Sequence, residues 1–229
     1  MDWGTLHLPT VPGTLPPALW ADAVANRVMV VAMLAATLLV LRDYFRLWPL
    51  LSGCMVRSRG NIEIEHSLGM ARSRNRCALV GLGILCLLAD RYGLYPATFL
   101  SGLEPGIRVA ATLGVVVAFL LLRGILAGIF RKAKLDSEAR AAASHALWNY
   151  FLAALPLMLL SAAVFWLFGV PDFAAQITLW SELFVVLTFT LIREGQILNG
   201  KYFVLQTFLY LCALELIPLA TLIAVAAVL

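Results

Sequence analysis

Six stretches of this chain run apolar for about the length of a bilayer crossing, and no other feature limits its fold as tightly. A spanning helix needs about 20 largely apolar residues to cross a hydrocarbon core of roughly 30 Å. The stretches run from about Ala23 to Leu41, Asn75 to Leu94, Ile107 to Phe130, His145 to Phe168, Ala175 to Ile192 and Tyr202 to Val228. The second has the shortest unbroken apolar run, Cys77 to Ala89, stopped by Asp90-Arg91. With 62% hydrophobic and 13% charged residues, the chain carries more apolar surface than a water-soluble fold of 229 residues can hide. Disorder, a collagen-like repeat and a secreted disulfide scaffold fall to the same composition. The expectation is an all-α polytopic transmembrane bundle of about six spans.

Orientation follows from the basic residues, which favour cytoplasmic loops. Of the 17 Lys and Arg, thirteen fall in three loops, at 42–76, 131–144 and 193–201. Three (Arg27, Arg91, Arg108) fall on the other side, and Arg123 lies within a span. The asymmetry predicts both termini outside the cytoplasm. Residues 1–22 then form a Pro-rich extracytoplasmic segment, and 23–229 a single transmembrane domain with a basic cytoplasmic loop at 42–76. The first residues carry Pro9, Pro12, Pro16 and Pro17 and no Lys or Arg, so no cleavable signal peptide is expected. The net charge of +4 reflects these loops, not a nucleic-acid surface. In the first loop, Arg42-Asp43-Tyr44-Phe45-Arg46-Leu47-Trp48-Pro49 interleaves aromatic and basic residues, which suits the headgroup layer. It reads either as an interfacial tether or as a docking surface for a partner or anionic lipid.

Ionisable residues at membrane depth are expensive and so are candidates for function. At 1.5 Å per residue from the cytoplasmic end, Arg123 lies roughly 12 Å in and Glu182 roughly 16 Å, while Asp90, Arg91 and Glu215 lie near 20 Å. One reading makes Glu182 and Glu215 the coupling carboxylates of a polar pathway. The other is structural, with Arg123 paired to Glu182 and Arg91 to Glu215. Two prolines interrupt spans: Pro156 should free the carbonyl of Leu152, and Pro218 that of Leu214 beside Glu215. A carboxylate next to a freed carbonyl is also a feature of broken-helix transporter sites.

Signatures of chemistry are sparse. Cys54, Cys77, Cys86 and Cys212 are scattered, and His7, His66 and His145 are too dispersed for a metal set. There is no HExxH and no GxSxG. Ser58-Arg59 with His66 approaches a lipid-phosphatase element, but the spacing is one residue too long and the companion motifs are missing. The aromatics of His145-Ala146-Leu147-Trp148-Asn149-Tyr150-Phe151 read as an interfacial belt. No catalytic, cofactor or metal residue is assigned, and the chain reads as a non-enzyme.

The ending Leu205-Gln206-Thr207-Phe208-Leu209-Tyr210-Leu211-Cys212-Ala213-Leu214-Glu215-Leu216-Ile217-Pro218-Leu219 resembles the C-terminal signature of domain of unknown function 4271, an integral membrane family. Asp43-Tyr44-Phe45-Arg46 and Trp148-Asn149-Tyr150-Phe151 fall in the order expected there. The resemblance implies a multi-span protein of a bacterial inner membrane, with no activity and therefore no catalytic residue to carry over. The functional expectation is a subunit or scaffold of an envelope complex, whose partners are the bilayer and other envelope proteins. The alternative is a small proton- or cation-coupled transporter using Glu182 and Glu215.

Overall fold

Hydrocarbon offers no partner for a backbone N–H or C=O, so an apolar run must satisfy its own, and the α-helix does this within one segment. A computed structural model of the chain describes residues 17–56, 61, 63–64, 67–95, 103–129, 137–199 and 204–228. Every element among them is helical. They are α1 (Pro17–Asp22), α2 (Val24–Val56), α3 (Leu68–Tyr92), α4 (Pro105–Ile129), α5 (Ser137–Phe168) and α6 (Asp172–Asn199). The last stretch is α7 (Val204–Leu211), a π-helical turn (Cys212–Leu216) and α8 (Ile217–Val228), wound without a break.

The helices overrun the apolar stretches. α2 continues through the arginines and aromatics after Leu41 and past Pro49 to Val56, so much of the expected loop at 42–76 is helical. At 33 residues it is about 50 Å long, well beyond the roughly 30 Å core. α3 likewise begins at Leu68, where the Ser67 hydroxyl accepts the Met70 N–H at 3.5 Å. Its other end is set by Gly93, whose φ of 61° only glycine adopts cheaply, with the Leu94 N–H returning to the Ala89 carbonyl. Gly169, at φ 60°, ends α5 in the same way before Pro171.

α3 is the hub, packed against α2, α4, α5 and α6. Small residues let its neighbours approach. A Cβ on Gly83 would meet the Met33 side chain of α2, and one on Gly81 would lie 3.1 Å from Phe151 and Leu155 of α5. Where α4 starts, a Cβ on Gly106 would come within 2.9 Å of Ala25. The core follows these contacts: Leu47, Leu51, Cys77, Tyr150, Leu152 and Met158 are all buried.

Among the described residues, four helices are long and apolar enough to cross a membrane: Val24–Met55, Gly106–Ile129, Ala143–Phe168 and Asp172–Leu198. Two of the six expected spans fall outside this set, each for a physical reason. α3 carries Arg72, Arg74 and Arg76 towards its start and Asp90-Arg91 at its end. In residues 204–228 the π-helical turn interrupts the α-helical winding, so that neither α7 nor α8 reaches crossing length by itself although the helix is continuous. The expected segment 1–22 lies mostly outside the described residues.

Candidate functional site

Chain direction alternates through the bundle, so polar residues from successive helices gather at two ends. At the end of α3 away from the basic loops, Asp90 and the Arg108 side chain one turn into α4 form a buried ion pair. Arg108 Nε donates to one Asp90 carboxylate oxygen, and Trp20 Nε1 of α1 donates to the other at 2.6 Å. Arg108 Nη2 also reaches the Asp90 backbone carbonyl at 2.9 Å. The Trp20 carbonyl accepts from the fully buried Asn26 side chain at 3.0 Å, which ties α1 down over the pair. Each carboxylate oxygen thus has a donor, as a charge out of water requires.

Arg91, the next residue, faces elsewhere. It pairs with Asp172 in the first turn of α6 at 3.3 Å and lies 5.0 Å over the Tyr92 ring. Gln176 Nε2 of the same helix caps the Gly93 carbonyl at 2.7 Å. Three side chains, Arg91, Asp172 and Gln176, therefore fasten the end of α3 to α6.

At the basic end the hub is the Tyr150 hydroxyl, which accepts from Asn61 Nδ2 at 3.0 Å and donates to the Cys54 carbonyl at 3.2 Å. Asn149 Nδ2 donates to Asn61 Oδ1 at 3.0 Å. Arg193 of α6 donates to the Met55 carbonyl near the end of α2 and to Gln196 Oε1. Buried Arg74 grips Asn75 Oδ1 with two nitrogens, at 3.1 and 2.9 Å. Asn61, Asn149, Tyr150 and Glu194 are all at most 1% exposed.

The expected pairing of Arg123 with Glu182 does not form. Arg123 Nη1 donates to the Ser144 carbonyl at 3.1 Å, while Glu182 Oε1 sits against the Ser161 hydroxyl. Buried Glu182 Oε2 has no hydrogen-bond partner among the described residues. Arg91 pairs with Asp172; the side chain of Glu215, its expected partner, lies outside the described residues. The four charged candidates whose side chains are described do not converge: Asp90 and Arg91 are adjacent but serve different helices, and Arg123 and Glu182 belong to separate contacts.

The two prolines act as their geometry requires. The Leu152 carbonyl, deprived of its N–H by Pro156, accepts instead from Tyr44 Oη of α2 at 3.0 Å. Immediately before Pro218 the backbone widens into the π-helical turn, and the Ile217 N–H bonds the Cys212 carbonyl. That local shift is one way a membrane helix re-satisfies groups freed by proline.

Sequence reasoning missed Arg108, counted as an outer-loop cation, although its place three residues after Pro105 sets it in a helix's first turn. Trp20, Asn61 and Asn149 gave no local signal. Among the described residues no group of three or more His, Cys, Asp and Glu could hold a metal ion, and the four cysteines are free thiols.

Four helices long and apolar enough to cross a membrane, with the buried Asp90–Arg108 pair between two elements of the bundle, mark an all-helical protein of the membrane-spanning class. The chain belongs to the family Domain of unknown function (DUF4271), whose model matches residues 75–226. The matched residues run from α3 through α8, so Asp43–Arg46 precede them. No curated protein and no solved structure matches the chain.

Proposed function

We propose that this protein is a non-enzymatic subunit or scaffold of a bacterial envelope complex, held in the inner membrane by six spans with both termini outside the cytoplasm. The observation that carries the reading is the use of interior charge. Asp90 with Arg108, and Arg91 with Asp172, fasten one helix to the next instead of lining a common path. Such pairs fix which helices meet and leave apolar outer faces for lipid or partners. The faces are extensive: among the described residues α2 buries only Asn26, Leu47, Leu51 and Cys54, and α4 only Arg108, Val109, Thr112 and Arg123. Six crossings are supported by α3 and the 204–228 stretch, each about 37 Å long if straight. The thirteen-to-three division of basic residues supports the orientation.

A stoichiometric partner recovered by mild detergent extraction and native mass spectrometry is the expected result. Purified protein that runs alone and carries proton or cation flux in liposomes would overturn the reading. It would favour the transporter, for which the buried, unpartnered Glu182 Oε2 is the specific support, and Glu182→Gln should then abolish flux. For topology, an extracytoplasmic reporter should be active at Leu229 and silent near Gly60 and Asp136. The reverse pattern would sink the orientation.

A further inference from the structure

A lateral groove of about 360 Å³ opens between α2, α3 and α5, within the size range of small-molecule sites. On α2 its wall is one helical stripe, Thr37, Val40, Leu41, Tyr44, Phe45 and Trp48, running from the apolar span into the basic segment. α3 and α5 close it with Ile84 and Leu155, among others. The lining is apolar because its polar atoms are engaged elsewhere. Tyr44 Oη is held by the Leu152 carbonyl, Thr37 Oγ1 donates to the Met33 carbonyl at 2.7 Å, and Cys77 Sγ to the Val40 carbonyl at 3.9 Å. Among the described lining residues, the Trp48 indole, at the basic end of the stripe, is the one side-chain donor without a hydrogen bond. Whatever fills the groove must therefore be hydrocarbon along most of its length.

The basic end adds charge. Arg42 and Arg46 follow the lining residues Leu41 and Phe45 one helical turn apart, and both are exposed. The acid between them, Asp43, is engaged by Arg76 of α3 at 3.1 Å. The mouth therefore presents two arginines with no ion pair among the described residues. Phe45 and Trp48, 66% and 42% exposed, flank it at the level where aromatics sit against headgroups.

We propose that the groove seats an acyl chain of an anionic membrane phospholipid whose headgroup is bound by Arg42 and Arg46. The occupant combines an apolar tail matching a lining without free polar atoms and a negative head matching the unpaired arginines. The inference rests on residence in a bilayer but not on the scaffold reading, and a symmetric bilayer removes any dependence on orientation.

The test places the full chain in phosphatidylcholine nanodiscs holding a trace of phosphatidylglycerol or phosphatidylcholine with a photoactivatable acyl chain, and maps the crosslinks by mass spectrometry. The phosphatidylglycerol probe should label Val40, Tyr44, Ile84 and Leu155 several-fold more than its phosphatidylcholine counterpart. Both probes should label the outward residues Leu38 and Leu39 equally. Arg42→Gln and Arg46→Gln should each reduce groove labelling by phosphatidylglycerol about fivefold, the usual weight of one basic residue near anionic lipid. Labelling by phosphatidylcholine should be unchanged. Leu159→Trp, which fills the groove from its partly exposed rim, should reduce labelling by both probes. Equal groove labelling by the two probes, or labelling indifferent to both arginine substitutions, would overturn the proposal. So would a dimer in native mass spectra whose groove residues are protected from both probes.

Discussion

α2 and α3 lie side by side and reverse the ordinary rule of burial. The most apolar 18 residues of α2 have a mean hydropathy of 2.1, yet only 6% of them are buried. Over the whole helix the buried residues among those described are Asn26, Leu47, Leu51 and Cys54. α3, broken by charge at both ends, buries eleven of its 25 residues, Arg74 and Asp90 among them. In water the more apolar helix would be the interior one. In a bilayer the surroundings are as apolar as any core, so hydrophobicity no longer distinguishes inside from outside. Polarity does, because a charged group is tolerable only where protein supplies its partner. The interior helix is the one that lipid would reject.

If α3 is held by its polar contacts and α2 by lipid, substitutions should separate the two. The largest effect is expected at the buried pair. Arg108→Leu strands Asp90 and should cost about 3–5 kcal/mol, read as reversible unfolding in mixed micelles. Adding Asp90→Leu should recover much of that loss. A single variant no less stable than the double would break the argument.

Close packing should come next. Gly81→Val on α3 drives methyls against Phe151 and Leu155 and should cost about 1–3 kcal/mol. Gly114→Val on α4, where nothing lies within 4 Å, should stay within about 0.5 kcal/mol in the same assay. Equal losses at the two positions would remove the distinction between interior and lipid-facing helices.

The Tyr44 hydroxyl bridges α2 and α5 at the carbonyl that Pro156 leaves unbonded. Tyr44→Phe should cost roughly 0.6 kcal/mol, a typical value for a hydrogen bond between membrane helices. Adding Pro156→Ala should cancel that cost in a double-mutant cycle, because the helix then satisfies Leu152 itself. The smallest effect belongs to the outer face of α2, where Leu39 is 84% exposed. Leu39→Ala should change stability by no more than about 0.5 kcal/mol.

Most of the architecture was legible because period and length of apolar runs are local properties. The positions of α4, α5 and α6 followed from them. Where helices run on past their apolar runs, as α2 does through Arg42 to Val56, a charge count marks where hydrocarbon ends but not where the helix does. The site was legible only where one residue dictates its own geometry. Pro156 announces a free carbonyl at Leu152 without any knowledge of the fold. That Tyr44, 108 residues away, satisfies it is a fact of packing. Depth alone suggested Arg91 with Glu215. Direction around the helix separates Arg91 from Asp90, since one residue along α3 turns a side chain by about 100°. That turn sends Asp90 towards α4 and Arg91 towards α6.

The pair at Asp90 and Arg108 also bears on how the chain enters a membrane. Its members are 18 residues apart, on consecutive helices, and one cannot be neutralised before the other has been synthesised. In the six-span arrangement, α3 leaving the ribosome alone presents the Asp90 carboxylate and four arginines to the insertion machinery. Once α4 follows, the two can partition as a hairpin with the acid already matched. Insertion of this region is then a two-helix event, and a nascent chain halted before α4 should leave α3 extractable by alkali, while one halted after Ile129 should not.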